Sequence, residues 1–374
     1  MRIALLGVRS VPGRYGGFDT VATELAPRLA ERGFDVTVYC QKRYVPPPRQ
    51  DTYRGVQLTY LPAFRRQALE ETSHEILSLL HASTRRFDAL YVFGLRATVF
   101  FAPAAAAGVR IFFNTDGHDW QRRKWGPGAR RYLLMSERVG VRIARERLIA
   151  DSKGIAAYFQ DRYGVTPTFI PYGAPAVAEP DAAALDAYGL SPRGYYLVLC
   201  RLEPENNIDA IIEGHARSRT NRPLIIVGGV NYESEYIARL QAMASDRVRF
   251  LGAIYEPGVV DALYRYSYAY LHGHEVGGTN PALLHAMGAG ATVLANEVVY
   301  NREVLGDAGR YWSPARGDLA QTIDALDADE AEAEMLGERA RRRAATEYNW
   351  EDVADAYSAY FRERVSPKRR RRSR

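Results

Sequence analysis

The chain has little cysteine and no long apolar run, and each lack removes a class of protein. Its 374 residues include two cysteines, Cys40 and Cys200. Both stand in strand-like runs and read as small buried hydrophobes of a reducing compartment, not as a disulfide or a metal site. No apolar stretch reaches the roughly 18 residues of a membrane span, so no transmembrane helix is expected. Met1 to Gly7 is too short for a signal peptide, lacks a cleavage pattern and reads as a first strand. The expectation is a cytoplasmic protein, with a peripheral place on the inner face of the cell membrane open to it. The nicotinamide fingerprint G-x-G-x-x-G is missing after that strand. No carboxylate pair is read as having the Asp-x-Asp form that holds a divalent metal, and no His/Cys cluster has zinc spacing. Neither metal nor cofactor is therefore expected. Net positive charge is also less than it looks. The chain carries +6, and Lys368, Arg369, Arg370, Arg371, Arg372 and Arg374 supply six charges, so the body is balanced. A balanced body argues against nucleic acid as partner. The tail fits an anionic membrane surface or is a solvated end.

What is present centres on residues 271–296. Tyr268 to Leu271 is a buried-strand pattern, and His272, His274 and Glu275 follow at its end. Gly277 and Gly278 turn the chain, Thr279 follows, Asn280 is a helix N-cap and Pro281 suits the first helical position. Leu283, Leu284 and Met287 give that helix an apolar face, Gly288 and Gly290 stop it, and Thr292 to Leu294 begins another strand. A glycine loop feeding a helix N-terminus offers N–H groups and the positive end of the dipole, which suits phosphate. A tight strand-to-helix turn would look the same; the imidazoles and the carboxylate beside it favour a ligand site.

Strands and helices alternate along the whole chain. Ile3 to Leu6 is a strand, then a long loop carries Gly16 and Gly17 into a helix from about Thr20 to Arg32, and Asp35 to Cys40 is the next strand. The loop is a second anion or sugar site, or a flexible connection. Ile111 to Phe113 ends in Asn114-Thr115-Asp116-Gly117-His118-Asp119-Trp120. Asp116 and His118, just past a strand, suit acid–base or hydroxyl-binding work; a polar turn before a helix cap is the plainer reading. Arg122, Arg123, Lys124, Arg130 and Arg131 follow with Trp120, Trp125 and Tyr132 among them. This is either a basic face for a membrane or anionic acceptor, or the solvated side of a helix. Residues 173–194, rich in Ala, Pro, Gly and Asp, form a linker, and Tyr195 restarts the pattern. Arg201, past a strand in the second half, is a fixed charge and bidentate donor for phosphate.

The pattern predicts an α/β protein of two Rossmann-like domains, residues 1–172 and 195–347. A helix at 348–365 crosses back to the first domain, and a basic disordered tail occupies 366–374. Ligands of such folds lie at the carboxyl ends of parallel strands, here in a deep cleft between the two sheets. A nucleotide diphosphate held by backbone and arginine without a metal is the expected ligand.

Several stretches together resemble the GT-B glycosyltransferases of the large retaining family that includes sucrose synthases. They are Tyr15-Gly16-Gly17-Phe18, Asp116-Gly117 with Trp120, Ala150-Asp151-Ser152, Ile170-Pro171-Tyr172-Gly173, Cys200 to Asn207, His272-Gly273-His274 with Val276 to Pro281, and Asn301 to Leu305. Within that family the chain is similar to bacterial rhamnosyltransferases of capsule and cell-wall polysaccharide assembly. The resemblance implies metal-independent transfer of a sugar with retention, from dTDP-L-rhamnose onto a lipid-linked or polysaccharide acceptor. Arg201 would hold the diphosphate, Gly16 and Gly17 would meet it from the first domain, and Gly277, Gly278 and Thr279 would cover sugar and phosphate. Gly252, Ile254 and Tyr255 would contact the base, with His274 and Asn280 beside the donor. Two positions depart from the broad family. Asn206 replaces the basic partner of the arginine, and Gly277 and His285 replace a glutamate pair whose second member binds ribose. The alternatives are a nucleotide-sugar 2-epimerase of the same fold and a donor-binding protein without transfer.

Overall fold

Short apolar runs make the strands, and their burial says how they are covered. Ile3, Ala4, Leu5 and Leu6 are all buried, as is every residue of Ala89–Phe93. A strand hidden on both faces belongs to a parallel sheet clothed by helices on each side. The computed structural model describes residues 1–13, 16–64, 67–123, 125–229 and 235–365. Tyr15, Lys124 and the basic tail lie outside them. The chain divides into two units, Met1–Tyr172 with Trp350–Arg374, and Gly173–Asn349.

The first unit contains strands β1 (Arg2–Leu6), β2 (Asp35–Gln41), β3 (Thr52–Tyr53), β4 (Val56–Leu61), β5 (Ala89–Phe93), β6 (Ile111–Asn114), β7 (Leu148–Ala150) and β8 (Thr168–Phe169). Their order in the sheet is β3-β4-β2-β1-β5-β6-β7-β8. Every pairing is parallel except that of the short β3. Helices α1 (Gly17–Glu31), α2 (Gln67–Ser83), α3 (Thr98–Ala106), α4 (Pro127–Ala144) and α5 (Lys153–Tyr163) connect them. Because β1 has β2 on one side and β5 on the other, the loops after β1 and β5 part in opposite directions and leave a crevice at the carboxyl edge.

Sequence spacing starts α1 near Thr20, whereas the helix begins at Gly17. Thr20 N–H already donates to the Gly16 carbonyl at 3.1 Å. The first turn, Gly17 to Thr20, carries no apolar period, so the pattern does not mark it. Helix α4, only suggested by its basic side, starts at Pro127 after Gly126, the residue order that favours a helix start.

The second unit repeats the plan with β9 (Tyr196–Leu199), β10 (Leu224–Val227), β11 (Val248–Gly252), β12 (Ala269–His272), β13 (Val293–Asn296) and β14 (Arg310–Trp312). The order is β11-β10-β9-β12-β13-β14, with all pairs parallel. Here β9 is the strand at which the order reverses. Helices α6 (Ile208–Arg217), α7 (Glu235–Ala242), α8 (Pro257–Tyr266), α9 (Pro281–Gly288), α10 (Val299–Leu305), α11 (Leu319–Asp327) and α12 (Glu330–Glu347) follow the strands. Asn280 caps α9, its Oδ1 accepting from Ala282 N at 2.9 Å. The last helix, α13 (Trp350–Val365), belongs to the first unit. Its Tyr357 hydroxyl pairs with that of Tyr91 at 2.9 Å, and Phe361 meets Phe112 edge-on at 5.1 Å. Arg32 on α1 binds Glu351 and Asp355. No helix among the described residues is long and apolar enough to cross a membrane.

Candidate active site

In the first unit the polar residues gather where the carboxyl ends of β1, β5 and β6 meet α2. Asp19, in the first turn of α1, is buried and accepts Arg9 N–H at 2.7 Å. Burial, the larger influence, pushes its carboxyl up despite that bond. The Gly16-Gly17 loop is therefore anchored through a buried acid next to it. Gly16 is the N-cap of α1 and Gly17 its exposed first residue.

A ladder of charges crosses the same edge. Glu71 on α2 binds Arg9 at 2.5 Å and also Arg96, which follows β5. Arg96 grips Asp119 with two bonds of 2.5 and 3.0 Å, and Asp119 also takes Arg122 at 2.8 Å. Arg122 is buried, which corrects the view of residues 122–132 as one solvated basic face; Arg123, Arg130 and Arg131 are exposed.

Asp116 sits over this ladder in a left-handed backbone conformation, φ 53°. Its N–H donates to Asn114 Oδ1 at 2.8 Å, which closes a tight turn past β6. Burial raises the Asp116 carboxyl and outweighs the nearby Arg122. His118 faces elsewhere. Its ring meets Tyr158 at 4.1 Å and Trp120 at 5.9 Å. Burial and then Arg162 push it down to about 4, so the imidazole is neutral at physiological pH. The pair expected to share acid–base work thus have separate neighbours.

Sequence reasoning missed Glu75. It lies on α2 one turn from Glu71, is 4% exposed, and no described residue hydrogen-bonds its carboxyl. Burial, aided by Asp119, pushes it up to about 8. The unfolded chain begins to ionise Glu75 near its ordinary 4.5, while the fold holds the proton up to about 8. The stability this group contributes is complete below 4.5 and is lost as pH rises through 8. Glu75→Gln, which cannot ionise, should match the wild type at pH 5 and gain on it by on the order of 3 kcal/mol at pH 9. Denaturant melts at the two pH values decide it; parallel curves would show that Glu75 ionises freely.

In the second unit the loops after β9 and β12 are knitted by asparagines. Asn206 Nδ2 donates to the Arg201 carbonyl at 2.7 Å, and its Oδ1 meets His274 Nδ1 at 2.8 Å. Where a basic side chain was the family expectation, Asn206 instead fixes the shape of the Arg201 turn. Asn207 Nδ2 bonds the Gly273 carbonyl at 2.9 Å and Glu275 at 3.0 Å. Asn301 Nδ2 reaches the His274 and Asn296 carbonyls, both at 2.9 Å. Gly273 lies so close that an added Cβ would strike the Asn206 carbonyl oxygen, with Ile211 Cδ1 at 3.0 Å. Gly277 has φ 138°, and a Cβ there would sit 3.2 Å from His274 Nε2. The N–H groups of Gly277 and Gly278 donate to no carbonyl among the described residues, just ahead of α9. Thr279 is buried and Arg201 half-buried.

His272 differs from its neighbour. It is 3% exposed, beside the Tyr270 hydroxyl at 3.1 Å, and burial holds it down at about 3, so it is a core imidazole. His285 Nε2 meets Asp261 on α8 at 2.5 Å, with Tyr264 against its ring. Nothing in the sequence pointed to Asp261. Gly252 is the last residue of β11, Ile254 and Tyr255 follow it, and Tyr255 is exposed. The structure joins Arg201, Asn206, His274 and Gly277 locally; His285 and the 252–255 loop have their own surroundings.

Asp327 and Asp329 do have Asp-x-Asp spacing, but Asp327 binds Tyr196 and Arg222 and Asp329 caps α12. Among the described residues no cluster of three or more His, Cys, Asp or Glu is placed to hold a metal. A cavity of about 430 Å³ lies at the opposite edge of the sheet, beside Arg193, Ser267 and Thr292. These residues precede strands, so that cavity is remote from the asparagine-held loops.

Residues 16–173 match the family described as Glycosyl transferase 4-like domain, and residues 189–343 match Glycosyl transferases group 1. The O-antigen chain mannosyltransferase B of Escherichia coli is 26% identical over 176 residues, 45% of each chain, so the likeness spans less than half of that relative. The sucrose-phosphate synthase of Thermosynechococcus elongatus superposes with a TM-score of 0.77 at 20% identity, over 97% of this chain and 98% of that one. Anabaena HepE in complex with UDP and glucose also gives 0.77, at 17% identity, over 97% and 100%. The fold is GT-B. The chain belongs to the glycosyltransferases of that fold, with a 4-like domain followed by a group 1 domain.

Proposed function

We propose that the protein transfers a hexosyl group, with retention and without a metal, from a nucleotide diphosphate sugar to a lipid-linked or polysaccharide acceptor. The observation that carries this is the cradle at the β9 and β12 loops. It combines a half-buried arginine with two glycine N–H groups at a helix N-terminus. Arg201, Gly277, Gly278 and Thr279 bind the diphosphate. His274 and Asn206 keep the cradle in shape. His285 with Asp261 meets the ribose, Asn280 lies beside the donor sugar, and the backbone of Gly252, Ile254 and Tyr255 meets the base.

In the reaction the bond from the sugar's anomeric carbon to the diphosphate breaks, and the acceptor oxygen bonds that carbon on the same face. Arg201 and the α9 N-terminus stabilise the negative charge growing on the leaving group. The acceptor proton passes to Asp116, whose carboxyl is raised by burial, while neutral His118 positions the acceptor.

The motif pattern favours dTDP-L-rhamnose as donor. A UDP- or GDP-sugar is the second reading, supported by the UDP in HepE and by the mannosyltransferase relative. Calorimetry with dTDP, UDP and GDP under chelation tests the cradle. At least one should bind, and Arg201→Ala should weaken it by about 10- to 100-fold. Binding that needs a divalent cation, or that ignores Arg201, would contradict the assignment.

A further inference from the structure

Arg96 is held at both ends. Its carbonyl accepts the Ser136 hydroxyl of α4 at 2.8 Å. Two residues on, Thr98 N–H donates to Ser136 Oγ at 3.1 Å. Gly140 lets α4 come this close, since a Cβ there would lie 2.9 Å from both Leu95 Cδ2 and Thr98 Cγ2. The guanidinium directs Nε and Nη2 at Asp119, at 2.5 and 3.0 Å, and Nη1 at Glu71 of α2. One residue therefore ties α2 and α4 to the loop after β6 that carries Asp116.

The grip needs an arginine. A planar fork meets a carboxylate with two parallel bonds and fixes its orientation, which the single ammonium of lysine does not. Asp119 is gripped by Arg96 on one side and met by buried Arg122 on the other. It stands three residues past Asp116, so what fixes Asp119 also fixes the turn that presents Asp116.

The same groups set the charge around that turn. Arg122 and Asp119 face Asp116 from its own loop, and Arg96 faces it from the loop after β5. Tyr172, whose hydroxyl accepts from Asn114 Nδ2 at 3.1 Å, faces it from past β8. Glu75 on α2 faces Asp119. The two arginines favour an ionised Asp116, and Asp119 opposes them.

We propose that Arg96 and Asp119 are positioning residues for the transfer step, locking the Asp116 turn and acting on its carboxyl with opposite charge. The proposal rests on the reading of Asp116 as the group that takes the acceptor proton.

The test is a carboxyl ¹³C NMR titration of the full chain, with the Asp116 signal assigned by its loss in Asp116→Asn. Arg96→Ala removes a positive charge and should move the Asp116 midpoint to higher pH. Asp119→Asn removes a negative charge and should move it to lower pH. Arg96→Lys keeps the charge but loses the fork, and should leave the midpoint in place. Nucleoside diphosphate release from dTDP-, UDP- and GDP-sugars with lipid extract gives the rates. A base acts when ionised, so activity rises with pH through the Asp116 midpoint. The ratio of activity at pH 6 to that at pH 8 should fall about threefold or more in Arg96→Ala and should rise in Asp119→Asn. In Arg96→Lys kcat should fall about tenfold or more, with nucleotide affinity kept within about twofold. Should the Ala variant fail to fold, the Lys and Asn variants carry the test. Midpoints that stay fixed in the charge-removing variants, or that move the same way in both, would overturn the proposal. So would an unchanged kcat in Arg96→Lys. Midpoints that move in opposite directions while the pH–rate profile ignores them would leave the charge pair assigned and count against Asp116 as the base instead.

Discussion

Asp116→Asn should lower kcat by about 10²- to 10⁴-fold, the usual range for removing an acid–base group, while leaving nucleotide affinity unchanged. The substitution isolates the carboxylate well. Asp116 sits at φ 53°, and asparagine is among the few residues that tolerate the left-handed region. Its N–H would still donate to Asn114 Oδ1, so the turn past β6 should persist. The surroundings would change in charge alone, with Arg122 and Arg96 still held by Asp119. His118→Gln should cost less, because an imidazole held near 4 carries little of the proton. Steady-state kinetics on both variants tell the two roles apart. A loss under tenfold for Asp116→Asn would mean that the leaving phosphate takes the proton. Loss of nucleotide binding as well would mean that Asp116 is structural.

Gly273→Ala is expected to be among the most damaging single methyls in the second unit. The new Cβ would run into the Asn206 carbonyl with Ile211 close by, and neither the backbone nor a packed core residue can give way cheaply. Overpacking of this kind costs about 1–3 kcal/mol, and here it also pushes apart the loops that Asn207 and Asn296 tie to the Gly273 carbonyl. Melting temperature should fall and nucleotide binding should be lost together. A variant that melts normally and binds nucleotide would show that the two loops are not held as a unit. A normal melt with lost binding would confine the damage to the cradle.

These two positions show where the sequence could be read. The α9 stretch was legible because its signals are local: Asn280 caps, Pro281 starts, and Leu283, Leu284 and Met287 pack; of the two glycines read as its stop, Gly288 is the last helical residue and Gly290 follows the C-cap Ala289. Asp116 stood out because a carboxylate just past a strand is a positional signal. The Arg9–Glu71–Arg96–Asp119–Arg122 ladder was invisible, since its members come from four separate stretches that only the strand order brings together. Nothing local marks Glu75; its burial follows from how α2 packs against β1, β4 and α3. The same holds for Asp261, whose meeting with His285 requires α8 beside α9. The asparagines at 206 and 207 were noticed as motif letters, yet their work on backbone carbonyls depends on contacts with the β12 loop.

The most direct measurement is nucleoside diphosphate release from dTDP-, UDP- and GDP-sugars, with and without membrane lipid extract, under chelation throughout. The account predicts release from one donor, dTDP-L-rhamnose first among them, only when the extract is present, with the sugar recovered on lipid in its original anomeric configuration. Interconversion of the donor sugar without release would make the protein an epimerase. Nucleotide binding with no release from any donor and any extract would contradict a transferase and leave a donor-binding protein.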